Sequence, residues 1–321
     1  MKKKIGVLTS GGDAPGMNAA IRAVVRTGLN FGMEVYGIER GYEGLIEGDV
    51  VRLTASSVSD ILQRGGTMLK TARSERFKSF FGQDKAIEVI EDNELSGLIT
   101  IGGDGTFRGA CDLSRRGVSV IGIPCTIDND QGYTDYTIGF DTAVNTVLHA
   151  IGNIRDTSTA HERISIIEVM GRRCGDIAMY AGVCGGADQI IIPEVPLDLD
   201  AIVEKNMPGK SRVKKHNIII KAEGVGISSQ ELADLIAEKT GQEVKVVILA
   251  YLQRGGMPSA RDRLLASLMG SRAVELLEND SSSKALAING SEIKEWDIEE
   301  AVKVQREPDL ELMQLIEMLA R

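Results

Sequence analysis

The segment from Ile101 to Asp130 reads IGGDGTFRGACDLSRRGVSVIGIPCTIDND, and the predicted architecture of the chain follows from it. Leu98 to Ile101 is an apolar run of strand length, and a group of glycines breaks it abruptly. Helical character follows from Thr106 to Arg116, and Val118 to Ile123 is a second strand-like run that ends at Pro124. A strand, a glycine turn, a helix and another strand predict a βαβ unit in a parallel sheet.

Each predicted strand of this segment is followed by a polar cluster. Open parallel sheets bind their ligands beyond the carboxyl ends of the strands. The glycines from Gly102 to Gly105 can bring backbone N–H groups against phosphate, while Asp128 and Asp130 can hold a metal ion or accept a proton. The segment therefore predicts a phosphoryl-transfer site.

The amino-terminal segment repeats the pattern. A buried strand from Ile5 to Thr9 leads into Ser10-Gly11-Gly12-Asp13, and apolar residues at helical spacing follow from Ala20 to Leu29. One glycine-rich turn is weak evidence, but two turns that each follow a strand favour phosphate binding. Apolar residues from Ile138 to Ile154 predict one long amphipathic helix, which we expect to lead from one domain into another.

Strands and helices alternate in the second half of the chain as well. Strands are predicted at Ile164–Val169, Ile190–Ile192, Ile218–Ile220 and Val244–Leu249, with helices separating them. No low-complexity linker interrupts this alternation. We therefore predict an α/β fold of two Rossmann-like, three-layer α/β/α domains, with mostly parallel sheets and an active-site cleft between them.

Composition excludes several classes of protein. The net charge of −9 argues against a general nucleic-acid binder, and no stretch is apolar enough to span a membrane. The four cysteines show no metal-finger spacing, which is typical of a reduced compartment. The apolar run Ile5–Leu8 is too short for a signal peptide, so we expect a cytoplasmic protein.

Only three histidines exist and none lies beside a candidate nucleophile, which favours a carboxylate as the catalytic base.

Five motifs occur in an order that resembles the bacterial ATP-dependent 6-phosphofructokinase family. They are Gly11 to Asn18 (GGDAPGMN), Gly102 to Gly105 (GGDG), Pro124 to Asp130 (PCTIDND), Met170 to Arg172 (MGR) and Gln253 to Gly256 (QRGG). The resemblance covers nearly the whole chain. GGDGT alone is also found in NAD kinases and diacylglycerol kinases, but those proteins lack TIDND and MGRRCGD.

The resemblance implies phosphorylation of fructose 6-phosphate at its 1-hydroxyl, which gives fructose 1,6-bisphosphate and ADP in glycolysis. ATP is the co-substrate, and Mg²⁺ is the implied cofactor. In this reading, Asp128 is the general base, Thr126 orients the phosphoryl group and Arg172 neutralises charge in the transition state. Asp104 holds Mg²⁺, with Asp130 as a further candidate, for which a purely structural role is an equal alternative.

The same resemblance implies two binding domains. Residues 1–138 with about 252–305 form the larger, ATP-binding domain, and about 139–251 with 306–321 form the smaller, sugar-phosphate-binding domain. The implied ATP-binding residues are Gly12, Arg73, Ser74, Gly103, Asp104, Gly105 and Thr106. The implied substrate-binding residues are Thr126, Ile127, Asp128, Arg163, Met170, Gly171, Arg172, Glu223, Lys245, Tyr251, Leu252, Gln253 and Arg254.

The family pattern also implies an assembly. Arg163 is expected to reach a neighbouring subunit's substrate, in a symmetric homotetramer whose active sites are shared between subunits. An effector site for ADP or phosphoenolpyruvate is implied at Arg22, Arg26, Arg155, Gly186, Asp188, Arg212, Lys214 and His216. Ala55 stands where the family often has an arginine, and Asp188 replaces a glutamate, so we expect reduced or altered effector control.

Two further departures leave alternatives open. Lys245 stands where the family usually has arginine, and Tyr251 where it has histidine, which weakens the case for fructose 6-phosphate against a sedoheptulose 7-phosphate substrate. A pyrophosphate-dependent kinase is a second alternative, yet Gly105 and Cys125 are small where such enzymes carry aspartate and lysine, so ATP is favoured. Cys125 itself is interpreted as a small packed residue rather than a redox switch. A catalytically silent nucleotide and sugar-phosphate sensor is the alternative outside enzymes.

Overall fold

The computed structural model describes residues 2–207, 217–281 and 283–319. The chain divides into two compact units. The first contains residues 1–127, 131–142 and 254–306, and the second contains 128–130, 143–253 and 307–321. The short TIDND motif is thus divided, because its last three residues belong to the second unit.

The first unit contains an eight-stranded sheet with the order β12-β11-β5-β4-β1-β2-β3, in which β6 pairs with β5 off this path. The strands are β1 Lys4–Ser10, β2 Glu34–Ile38, β3 Val50–Leu53, β4 Gly97–Gly102, β5 Val120–Thr126, β6 Ile138–Gly139, β11 Lys284–Asn289 and β12 Glu292–Asp297. Pairing is parallel except at the two edges, where β3 and β12 run antiparallel to their neighbours. The central strands β1, β4 and β5 are buried along almost their whole length, as expected of a parallel sheet covered on both faces.

The helices of the first unit follow the glycine turns and the connections of this sheet. They are α1 Met17–Asn30, α2 Gly41–Glu47, α3 Phe80–Asp92, α4 Asp104–Arg115, α9 Ala260–Glu278 and α10 Ile298–Ala301. Helices α1 and α9 pack closely, because Gly270 on α9 lies against Ala20 and Ala23 of α1 with no room for a side chain. A second part of the core is built on aromatic rings, with Tyr42 and Phe77 stacked at 4.1 Å.

The second unit contains a four-stranded, all-parallel sheet with the order β10-β7-β9-β8. Its strands are β7 Ile164–Val169, β8 Gln189–Ile191, β9 Asn217–Ala222 and β10 Val244–Ile248. Its helices are α6 Asp176–Gly185, α7 Leu199–Lys205, α8 Ser229–Thr240 and α11 Leu310–Leu319, together with most of α5 Phe140–Ala160, whose first three residues belong to the first unit. Ser228 starts α8 with a reciprocal capping box to Glu231.

The predicted α/β class with mostly parallel sheets is confirmed. One predicted boundary was wrong, because β5 does not end at Pro124 but continues to Thr126. Pro124 is tolerated there because it pairs with Gly102, the last residue of β4, where the ladder between the two strands ends. Among the described residues, no helix combines the length and the apolar character needed to cross a membrane.

Candidate active site

In the first unit, the predicted phosphate-binding turns follow neighbouring strands. Strands β5, β4 and β1 are adjacent, with Ser10 opposite Gly102 and Gly102 opposite Pro124. Their carboxyl ends therefore meet at one edge of the sheet. The hydroxyl of Thr106 donates to the carbonyl oxygen of Ser10 at 2.9 Å, which fixes the turn after β4 to the turn after β1.

The start of α4 has the character of an anion-binding helix terminus. Gly103 precedes the helix in an extended conformation, and no side chain caps the first turn. A side chain at Gly103 would begin 3.4 Å from Cβ of Thr126, whereas one at Gly105 would meet nothing within 4 Å. The N–H of Thr106 donates to the carbonyl oxygen of Gly103 at 2.9 Å. The N–H groups of Asp104 and Gly105 and the positive end of the helix dipole are the groups that can meet a phosphate.

Asp104 supplies the carboxylate at this position. Its side chain is 39% exposed and forms an ion pair with Arg108 one turn later, at 2.9 Å. Within the described ranges, no cluster of three or more His, Cys, Asp or Glu side chains could hold a metal. Mg²⁺ typically uses one or two carboxylates together with substrate phosphates and water, so a single, partly exposed aspartate fits that ion.

The remaining ATP-site candidates of the first unit differ in their contacts within the chain. Ser74 donates to Glu43 at 2.5 Å and accepts from the N–H of Phe77, which holds its loop in place. Arg73 is exposed. The guanidinium of Arg254 lies beside Gly12, because a Cβ there would be 3.3 Å from Nη1. Arg254, predicted to bind the sugar phosphate, is therefore placed against a predicted ATP-binding glycine.

Cys125 is completely buried in β5, and burial raises the pKa of its thiol well above the usual value. A thiolate is the reactive form of cysteine, so this environment suppresses its chemistry. The interpretation of Cys125 as a small packed residue agrees with this placement.

In the second unit, Asp128 and Arg172 form a close charged pair. Asp128 is only 4% exposed, and its Oδ2 lies 3.3 Å from Nε of Arg172. The backbone N–H of Arg172 donates to Oε1 of Glu223 at 2.9 Å. Three predicted catalytic or substrate-binding residues, drawn from segments far apart in sequence, are thus brought together.

The turn after β7 adopts a conformation that depends on glycine. Gly171 has φ 131°, and a Cβ there would lie 2.3 Å from the carbonyl oxygen of Cys174. Arg172 follows in the left-handed region with φ 55°. Met170 is tied down by its N–H, which donates to the buried Gln253 at 3.1 Å. The predicted substrate residues Tyr251 and Leu252 are instead exposed.

Some supporting residues were not singled out from the sequence. Asn129 donates to Asp176 at 2.8 Å, and Glu194 accepts from the N–H of Gly175 at 2.7 Å. Burial is the main cause that raises the pKa of Glu194. Asp176 ends the GRRCGD motif, which is the signal that the sequence offers for it, whereas nothing in the sequence points to Glu194.

Arg163 and Lys245 lie at the other end of the same sheet. Arg163 precedes β7, Lys245 is the second residue of β10, and both face Glu243, at 3.9 and 2.8 Å. Met170 to Arg172 follow the opposite, carboxyl end of β7. A parallel strand rises about 3.3 Å per residue, so the seven steps from Arg163 to Met170 cover more than about 20 Å. Within one chain, the structure does not bring Arg163 and Lys245 to Arg172.

The predicted effector residues are only partly assembled. Arg155 donates to the carbonyl oxygens of Gly185 and Gly186 at 2.6 and 2.8 Å, where it caps the end of α6. Asp188 accepts from the N–H of Ile218 at 2.8 Å. Arg22 and Arg26 lie on α1 in the first unit. The other three predicted effector residues, Arg212, Lys214 and His216, lie outside the described residues.

Comparison with known proteins connects this chain to one family. A family model described as phosphofructokinase matches residues 4–277. An ATP-dependent 6-phosphofructokinase of Clostridium tetani (strain Massachusetts / E88) is 55% identical over 318 residues, which are 99% of either chain. The protein of the same name from Clostridium botulinum (strain Loch Maree / Type A3) is 54% identical over 319 residues, 99% of this chain and 100% of that protein.

The fold comparison agrees with the sequence comparison. The solved phosphofructokinase of Saccharomyces cerevisiae matches with a TM-score of 0.89 and 35% identity. The match covers 99% of this chain and 48% of the yeast chain, so this chain spans about half the length of that relative.

Proposed function

Because this chain belongs to the phosphofructokinase family, we propose that it transfers the γ-phosphoryl group of ATP to the 1-hydroxyl of fructose 6-phosphate. The products are fructose 1,6-bisphosphate and ADP, and the reaction belongs to glycolysis. The observation that supports this role best is the pair formed by buried Asp128 and Arg172, 3.3 Å apart. A carboxylate held in this way can accept the hydroxyl proton. We place the enzyme in the cytoplasm, where glycolytic substrates are found.

Each residue of the pair has a separate task in this proposal. Asp128 accepts the hydroxyl proton as the sugar oxygen attacks the γ-phosphorus. The new O–P bond takes up the negative charge left on that oxygen, and the bond from the γ-phosphorus to the β-phosphate oxygen breaks to release ADP. Arg172 orients the carboxylate and neutralises charge on the transferring group. Glu223 accepts the backbone N–H of Arg172, and its exposed carboxylate would also bind the sugar phosphate.

The first unit supplies the nucleotide contacts. The N–H groups at the start of α4, with the turn after β1, would bind the phosphates, and Thr126 would orient the transferring group. Asp104 would hold Mg²⁺, and Asp130 remains the further candidate. The ion supplies charge neutralisation at the phosphate oxygens when it is bound. Arg108 must release Asp104, or share it, for this binding to occur.

The charges at the amino end of the second sheet support a shared active site. Arg163 and Lys245 are too far from Arg172 to bind the same sugar phosphate within one chain. We therefore extend the prediction for Arg163 to Lys245, so that both serve the 6-phosphate bound by a neighbouring copy. A symmetric assembly provides this exchange in both directions, and a homotetramer is the state we propose.

Replacing Asp128 by asparagine tests the proposed base. The change keeps the shape but removes the proton acceptor, so kcat should fall by about 10²- to 10⁴-fold while the Kd for ATP stays close to wild type. Steady-state kinetics and nucleotide titration measure the two quantities. Asp84→Asn, which changes an exposed surface carboxylate, is the matched control. A variant at position 128 with wild-type kcat would refute the assignment.

A donor-by-acceptor activity matrix separates the alternative substrates. ATP and pyrophosphate are each offered with fructose 6-phosphate and with sedoheptulose 7-phosphate, and the ATP and fructose 6-phosphate pair should give the highest kcat/KM. Open space beside Gly105 favours the nucleotide donor. Turnover with either phosphate donor also excludes the alternative of a catalytically silent sensor.

We propose that control by ADP and phosphoenolpyruvate is weak. Arg155 and Asp188 are already bonded to backbone groups of their own chain, so an effector must compete for them. Initial rates at subsaturating fructose 6-phosphate should change by less than about threefold with saturating ADP, which corresponds to a coupling free energy below about 1 kcal/mol. Steep activation by ADP, or strong inhibition by phosphoenolpyruvate, contradicts this proposal.

A further inference from the structure

A buried lysine lies in the middle of the second sheet. Lys221 is the fifth residue of β9, in the sequence NIIIKA, and is only 1% exposed. Its Nζ lies 3.2 Å from Oε2 of Glu168 on the neighbouring strand β7. The hydroxyl of Ser229, at the start of α8, donates to the same oxygen at 2.5 Å. Charged groups in such a place are kept only when they are paired, because burying one alone is costly.

This pair lies directly beneath the proposed sugar-phosphate residues. Lys221 and Glu168 are register partners on adjacent parallel strands, two residues before Glu223 and Met170 respectively. Beyond them, the N–H of Glu223 donates to the carbonyl oxygen of Val169 at 2.8 Å. The two strands therefore end side by side, and the charged pair joins them one register position before the last pair, Val169 and Ala222.

The contacts continue from this link to the catalytic pair. Glu223 accepts the N–H of Arg172, and Arg172 holds Asp128. A shift of β9 along β7 would move Glu223 and, through it, the backbone of Arg172. Displacing a group at a reacting centre by about 1 Å can cost about 10²-fold in rate, so a small shift of these residues affects the site.

Stability alone does not account for a charged pair at this position. An apolar residue of similar volume stabilises a fold about as well as a buried ion pair does. A directional contact, in contrast, fixes where two strands end relative to one another. We propose that Lys221 and Glu168 are positioning residues that set the affinity for the sugar phosphate, an inference that rests on the function proposed above.

The test compares KM values for the two substrates. Lys221→Met and the double variant Lys221→Met with Glu168→Gln should raise KM for fructose 6-phosphate about tenfold and leave KM for ATP within about twofold of wild type. Lys221→Arg keeps the charge and should recover most of the affinity. Wild-type KM for fructose 6-phosphate in a folded Lys221→Met or double variant overturns the inference.

Two controls separate positioning from general destabilisation. Ile219→Val removes one buried methyl group from the same strand, and its KM for fructose 6-phosphate should stay at the wild-type value even if its melting temperature falls. Should the Lys221 variants not fold, Ser229→Ala removes only the hydroxyl bound to Glu168 and should raise the same KM about threefold. An unchanged KM in Ser229→Ala then overturns the inference.

Glu223→Gln distinguishes a failure of this inference from a failure of the proposed function. A raised KM in Glu223→Gln with an unchanged KM in Lys221→Met rejects the positioning pair alone. An unchanged KM in Glu223→Gln rejects the sugar-phosphate site on which the inference rests.

Discussion

Gly105 lies in the first turn of α4, where a side chain would meet nothing within 4 Å. Gly105→Asp should raise KM for ATP by at least about tenfold, because two like charges 4 Å apart repel by about 4 kcal/mol near a protein surface. The measurement is KM for ATP at saturating sugar phosphate. An acidic residue in the first turn favours the helix itself, so the loss is not expected to come from unfolding.

Gly105→Ala is the matched control for this change. It adds a Cβ without charge in the same open space and replaces the glycine by a better helix former. Its KM for ATP should stay within about twofold of wild type, since alanine leaves the first-turn N–H groups unchanged. If alanine and aspartate raise KM equally, crowding rather than charge governs the position, and the electrostatic account is wrong.

The turn after β7 is the element on which the second site depends. Gly171→Ala places a Cβ 2.3 Å from the carbonyl oxygen of Cys174, at φ 131°, where side chains are strained by about 1–3 kcal/mol. The turn must shift, and Arg172 shifts with it. We expect kcat/KM for fructose 6-phosphate to fall at least about tenfold, because a displacement near 1 Å is that costly at a reacting group.

Gly226→Ala provides the comparison for the same unit. A Cβ there meets nothing within 4 Å, and its backbone does not require glycine. Activity should be unchanged, and thermal melting of both variants shows whether any loss of activity follows from unfolding. Wild-type kcat/KM in Gly171→Ala means that the turn tolerates the shift and that its geometry does not limit catalysis.

At the level of elements, the sequence predicted what short-range patterns determine. The strands β1, β4 and β7 are apolar runs followed by glycine, and α1 and α5 have helical spacing, so each was predicted. The hairpin of β11 and β12 was not predicted, because Glu292 to Asp297 carries many charges and obtains its strand conformation from pairing with β11. Helix α2 is short and includes two glycines, so its sequence has low helix propensity and did not predict a helix.

The candidate site was predictable for residues within motifs and not for residues that tertiary pairing brings in. Asp104, Asp128 and Arg172 belong to short motifs with fixed spacing, so the sequence named them. The pairing of Lys221 with Glu168 depends on the register between β9 and β7, which a single sequence does not reveal. The opposite positions of Lys245 and Arg172 likewise follow from strand direction, and residue type gives no sign of them.

At the level of the whole molecule, the second sheet carries positive groups at both ends. Arg172 follows the carboxyl end of β7, while Arg163 and Lys245 flank Glu243 at the amino end. One phosphate-bearing sugar cannot span about 20 Å. If the positive side chains at both ends of the sheet bind substrate, they must therefore bind different substrate molecules. An isologous interface meets this requirement, because each copy then contributes the side chains at the amino end of its second sheet to the active site of the other.

Mixing two defective proteins tests this arrangement. Asp128→Asn removes the proposed base, Arg163→Met removes the lent charge, and each homomeric protein should have low activity at subsaturating fructose 6-phosphate. In a mixed pair, one of the two sites receives both defects and the other receives none. Random pairing of equal amounts should therefore recover about a quarter of wild-type activity, since half of the pairs are mixed and half of their sites are intact.

The two proteins are unfolded together, refolded and assayed beside each protein refolded alone. A chain that carries both substitutions, refolded with Asp128→Asn, is the control that should recover nothing, because no intact base is present. Activity of the first mixture no higher than the mean of its two components would show that each chain completes its own site.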